Sequence, residues 1–244
     1  MSARLEGESA TCRGQSHVVG VALLCCVAVV SMAAVTGSVG GVVGETAANA
    51  DATRVADALD GAVGPTVGTG HATRRVPFAA GRLHTAARDV RVLDANGTVA
   101  RYRTNAVTFD AANRGVTSVA GTTVVRTRGW ARVTGPVRAT AVPDALVLDL
   151  VVVEGDVDVS GRGGGATLRT DTTVTRETLA GGTYRLAVET RHPEAFARRY
   201  GRDGVPGAVV GERDFDGDGI ESVVVAYPPA ARAYVVVRTV EVAV

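Results

Sequence analysis

The sequence predicts an α+β fold. One long N-terminal helix, transmembrane over about 18–44, precedes a mostly antiparallel, β-rich head of the sandwich or roll type. Three observations predict it. Val18 to Gly44 holds 27 residues without one charge. Residues 45–63 are rich in Ala and carry Val55, Leu59 and Val63 at spacing four, which falls on one face of a helix. From Val76 the apolar period changes to two, with Gly-rich turns between short runs, the pattern of antiparallel strands.

Residues 1–14 form a short polar leader in which Glu6 and Glu8 offset Arg4 and Arg13. The uncharged run behind it exceeds the roughly 20 residues that cross a bilayer. A plain membrane anchor is one reading of it. A cleaved secretory signal, with Ser31-Met32-Ala33 as its small-x-small site, is another, although the apolar core of such signals is only about 7–15 residues long. Within the run, Ala33, Gly37 and Gly41 recur every four residues, and Gly40 with Gly44 repeats the spacing. Rows of small residues let membrane helices approach closely. A helix continuous from Gln15 to Val63 would be roughly 70 Å long at about 1.5 Å per residue. Gly61, Gly64 and Pro65 end it, and 64–75 reads as a linker with turn residues and no apolar period.

The head, 76–244, opens with a strand at Arg88–Asp94, a turn at Ala95-Asn96-Gly97 and a partner at Thr98–Arg103. Asn-Gly between alternating runs is a strong hairpin signal. Further strands are predicted at Ala106–Phe109, Val116–Ala120, Thr122–Thr127, Trp130–Thr134, Val137–Val142 and Leu146–Val153. Val157–Val159, Thr167–Thr170, Thr172–Arg176, Thr183–Glu189 and Ala233–Val242 continue the series. One short helix interrupts them at Pro193–Tyr200, with Pro and Glu194 at its start, Arg198 and Arg199 at its end, and Phe196 and Tyr200 on one face.

Composition narrows the function. The formal net charge is +1, so nothing marks a nucleic-acid binder, and all 26 basic residues are Arg. Cys12, Cys25 and Cys26 all precede the head, which therefore has neither a disulfide nor a thiolate metal site. His71, His84 and His192 lie beside no recognisable nucleophile motif, and G-x-S-x-G and H-E-x-x-H are absent, so no enzymatic activity is expected. Asp214, Asp216 and Asp218, followed by Gly219, match the first half of a calcium loop, and Ile220 and Ser222 would complete the local donors. The second half fails, because Val225 stands where the bidentate Glu belongs, so Glu212, Glu221 or Asp203 would have to be recruited. An acidic, solvated turn is the plainer reading. No cofactor is required, and calcium is the one ion the motif admits. Asn96-Gly97-Thr98 has the form of a glycosylation acceptor on an exposed turn, although the hairpin demands the same residues. Gly161-Arg-Gly-Gly-Gly165 is a flexible turn and not a phosphate loop.

The segment Arg13-Gly-Gln-Ser-His-Val-Val-Gly-Val-Ala-Leu-Leu resembles the class III signal of archaeal type IV pilins and archaellins, above all the haloarchaeal pilin-like proteins. Ser16, Val18, Gly20 and Val21 match that family's start, with His17 in place of its proline. The resemblance implies a prepilin peptidase acting at Arg13, Gly14 and Gln15, with the cut after Gly14. It also implies an apolar helix retained on the mature protein and an extracellular head. The implied role is structural: a major or minor subunit of a type IV pilus-like filament or pseudopilus, whose partners are the membrane, the peptidase and other pilin-like subunits. The alternative is a single-pass, membrane-anchored extracellular binding module, stabilised by calcium or not, that never polymerises.

Overall fold

The structure is a computed structural model and describes residues 13–244 apart from 65–67, 112–113, 136–138 and 203; at 13–19, 34–48 and 162 it describes the backbone alone. The chain divides into two compact units, Met1–Ala47 and Ala48–Val244. Helix α1 runs from Arg13 to Val63. The remaining elements, in order, are β1 (Gly70–Val76), β2 (Ala80–Leu93), β3 (Thr98–Ala111), β4 (Arg114–Val119), β5 (Thr122–Thr127), β6 (Trp130–Val133) and β7 (Ala139–Val142). They continue with β8 (Ala145–Glu154), β9 (Asp158–Arg162), β10 (Ala166–Leu179), β11 (Arg185–Glu189), α2 (Pro193–Tyr200), β12 (Ala208–Arg213), β13 (Ser222–Ala226) and β14 (Arg232–Ala243).

Fourteen strands against two helices among the described residues make the fold mostly β, which corrects the expected α+β class. The physical reason is that residues 48–63 of α1 build no layer of their own. Ala52, Val55, Ala56, Leu59, Ala62 and Val63 are buried and serve as part of a sheet core. The expectation of a membrane-spanning helix is corrected with it. Among the described residues no helix is long and apolar enough to cross a membrane. Over 20–33, part of the expected span, the described side chains are uncharged. The rest of the expected span, 18–19 and 34–44, lies outside the described side chains.

The strands form two sheets. One runs β1-β10-β14-β8-β7, and the other runs β12-β13-β11-β2-β3-β4-β5-β6 with β9 added beside β2. All pairings are antiparallel except β14 with β8, which is parallel over Arg232–Glu241 and Ala145–Glu154. β1 occupies the second half of the expected linker, and β12 and β13 stand where no strand was expected. In β12 only Val209 is even half-buried, so it carries no apolar alternation to read. Several predicted pieces prove continuous: β3 joins two of them and β10 joins two more. α2 forms at the predicted residues, with Ala195, Phe196 and Tyr200 buried.

Two large apolar cores result, with a third, small cluster of Leu93, Ala187 and Val224. Val55 and Leu59 pack with Leu83, Phe109, Leu168 and Val240 in one, whereas Leu146, Leu148, Leu186, Phe196, Val223 and Val235 fill the other. Close packing shows at Gly155, which turns the chain out of β8 with φ +88; a Cβ there would stand 2.3 Å from the Val242 carbonyl oxygen. Only glycine meets both demands.

Candidate functional site

β2 has a gap in its second edge. β9 pairs with it up to His84, and β11 only from Val90 onward. In the gap, the Glu189 carboxylate stands in for a strand and accepts the Asp89 backbone N–H at 3.0 Å. Around it a charged cluster assembles. Asp89 accepts from Arg91 at 2.7 Å and from Arg101 at shorter range, and Arg91 also reaches Asp216 at 3.0 Å. Arg88, almost fully buried, lies 3.8 Å from Glu189. Burial pushes Asp89 up, but its hydrogen bond to Arg101 and the charge of Arg91 outweigh this and hold it below the ordinary carboxylate value. Glu189 has no such surplus of cations, and burial raises it. The cluster lines an open cleft of about 470 Å³ together with Arg103, Thr104 and Glu154.

The acidic loop between β12 and β13 docks on this cluster. Asp214 folds the loop upon itself: one carboxylate oxygen accepts from the N–H groups of Asp216 and Gly217 at 3.2 and 2.7 Å, and the other accepts from Gly219 at 3.0 Å. These backbone donors, led by Gly217, lower its pKa. Phe215 lies between the guanidinium groups of Arg91 and Arg213, 4.9 and 4.8 Å from its centroid.

Oxygens of Asp214, Asp216 and Asp218 come within 4.8 Å of one another, and so do those of Asp89, Glu189 and Asp216. Either group could hold a divalent cation, in competition with the arginines that already neutralise Asp216. Ile220 donates its N–H to Asp218 at 2.8 Å. Ser222 is buried in β13, and its Oγ has no hydrogen-bond partner among the described residues. Of the possible recruits, Glu212 has its pKa raised first by desolvation and then by a hydrogen bond with Glu221, whereas Asp203 lies outside the described residues.

The other candidate residues scatter. Asn96 is exposed at the tip of the β2–β3 hairpin, its N–H donated to Asp94 at 2.7 Å. The side chains of Arg13 and Gln15 are not among those described, and Gly14, Gly37, Gly40, Gly41 and Gly44 are described only as backbone of α1. Ala33 is exposed. So is every side chain from Gly20 to Ala33, including Val21, Leu23, Leu24, Val27, Val29, Val30 and Met32.

The cavity that sequence reasoning missed lies on the β2–β3–β4 face. His84, Thr108 and Thr117 sit in one row across the three strands, and the two hydroxyls lie 3.4 Å apart. Beside them Gly115 leaves room for the Arg126–Asp110 pair at 2.9 Å, since a Cβ there would stand 2.9 Å from the guanidinium. The segment Glu189–His192, running from β11 into α2, closes the other side of a cavity of about 260 Å³. His192 lies 3.7 Å from Glu194, and burial lowers its pKa.

No curated protein and no solved structure matches the chain. The profile of one protein family matches residues 13–243, nearly the whole length. The chain therefore belongs to that family, which is described as a family of unknown function, DUF7289.

Proposed function

We propose that the chain is a structural subunit, major or minor, of a type IV pilus-like archaeal surface filament. A prepilin peptidase releases it by cutting between Gly14 and Gln15. The observation that carries this reading is the helical stretch 20–33, which is uncharged and exposed around its whole circumference. A helix that is apolar on all sides is stable only in lipid or among other apolar helices. A subunit packed against its own copies in a filament gives such a helix the second of these surroundings. The spacing of Ala33, Gly37 and Gly41 suits the close helix approach that such packing needs. Residues 48–63 of α1 meanwhile hold the head, which is carried outside the cell. The chemistry is assembly, and no catalytic step is required.

The mature N-terminus tests the reading by mass spectrometry of protein taken from its native membrane. A start at Gln15 is expected. A start at Met1, or one near Ala34, would overturn it.

A second reading, a membrane-anchored extracellular binding module that does not polymerise, is favoured by the convergence of Asp214, Asp216 and Asp218. Calcium would stabilise such a head. Calorimetry of the full chain in detergent should then show saturable calcium heat and a raised Tm, and the absence of both would remove calcium from this reading.

A further inference from the structure

The cavity of about 260 Å³ on the β2–β3–β4 face has more positive charge than its carboxylates neutralise. Arg88, Arg126 and Arg191 line it, against Asp110 and Glu189. Both carboxylates are already engaged, Asp110 by Arg126 at 2.9 Å and Glu189 by the Asp89 N–H at 3.0 Å, with Arg88 at 3.8 Å. Arg191 makes no hydrogen bond or ion pair among the described residues. It is exposed and borders Glu194, Asp218 and Glu221 on one side, while toward the cavity its charge acts on Arg88 and, with that of Arg126, on His192. Three arginines thus line one small space, Arg191 from its exposed rim, against two carboxylates, a surplus of one positive charge.

The remaining polar lining includes groups able to donate to an anion. His84 lies on the cavity, and its Nδ1 is buried with no hydrogen-bond partner among the described residues. Thr108 and Thr117 share one hydrogen bond between their hydroxyls, so one hydroxyl proton stays available to a third group. Ala86 and Ala106 pair across β2 and β3 and leave the floor low between the charged ends. The volume lies below the roughly 300 Å³ at which sites for drug-sized ligands begin, which restricts the occupant to a small molecule.

We propose that this cavity is a binding site for a small oxyanion, namely a sulfate, phosphate or carboxylate group, held by Arg191, Arg88 and Arg126 and hydrogen-bonded by His84 and the Thr108–Thr117 pair. Guanidinium groups match the planar edge of such anions and donate two parallel bonds to them. A bound anion relieves the repulsion of Arg191 with Arg88 and gives the orphaned imidazole nitrogen a partner. The group is either a free inorganic ion or the acidic group of a compact molecule such as a sugar acid, and the hydroxyl ladder suits both. This site is independent of filament assembly.

The test uses the full chain in detergent micelles, titrated with sodium sulfate and separately with sodium glucuronate, with ionic strength held constant by sodium chloride. Calorimetry and thermal unfolding are read together. Saturable binding and a rise in Tm are expected with at least one of the two. Sulfate alone would identify the occupant as a free ion, and tighter binding of glucuronate would identify it as a sugar acid. Arg191→Ser should weaken binding about tenfold or more, as loss of a charge-assisted pair does, without lowering the Tm of the unliganded protein. Arg202→Ser, an exposed arginine away from this cavity, should leave binding unchanged. Binding that never saturates, or that matches the chloride control, would overturn the proposal. So would an Arg191→Ser variant that binds as the parent does, or equal losses in the two variants.

Discussion

At the scale of single residues, the head places several polar groups in buried contacts, and His192 is one whose titration burial shifts. Burial holds its pKa below the ordinary 6.5. Near pH 6 the folded protein therefore binds fewer protons here than the unfolded chain does. The associated stability is fully present above 6.5 and is lost as pH falls through 6.5 toward the folded value. His192→Gln should reduce the loss of stability between about pH 7 and 5, measured as the difference between urea midpoints of variant and parent across that range. A variant whose midpoints track the parent's would show that another group governs the slope. The residue scale is also where the sequence was hardest to read. The convergence of Asp214, Asp216 and Asp218 was legible from their alternate spacing before Gly219. Their engagement by the loop's own N–H groups and by Arg91 was not, because that arginine lies on a strand more than a hundred residues earlier.

Among the elements, α1 and the β2–β3 hairpin teach opposite lessons. The spacing of Val55, Leu59 and Val63 named the buried face of the helix directly, and all three side chains are fully buried. Leu59→Ala should cost about 2–5 kcal/mol, the usual range for a cavity in a packed core, measured by denaturant unfolding of the full chain. Loss below about 1 kcal/mol would mean that residues 48–63 contribute little to the head. The hairpin was found from its Asn-Gly turn, but its faces could not be. An irregularity between Val92 and Leu93 shifts the pairing, so that Leu93 faces Thr98 while His84 faces Thr108. A regular hairpin extended from the turn would have set His84 against Val107. A slip of one residue turns every side chain to the other side of a sheet. The row His84–Thr108–Thr117, and the cavity built on it, was hidden for that reason. β12 was missed on simpler grounds, being an exposed edge with no apolar alternation.

For the whole molecule, the period-two pattern disclosed the many strands and their mainly antiparallel pairing, and the expected class failed on the weight given to the helix. Long uncharged sequence drew attention to α1, while the bulk of the folded chain is sheet. The parallel pairing of β14 with β8 was beyond reach, since nothing in two valine-rich runs distinguishes a parallel partner from an antiparallel one. That pairing has a consequence for how the protein is made. β14, the last strand in chain order, lies in the middle of its sheet, between β10 and β8. Until the ribosome has passed Ala243, β8 and β10 have no strand between them, and the Val240 and Val242 side chains that pack with Val55 and Leu59 are missing. Long-range closure of this kind is slow, and it leaves sheet edges exposed while it is awaited. A head exported during synthesis would thus emerge unclosed and fold only on the far side, with one edge of β8 and one edge of β10 open until β14 arrives.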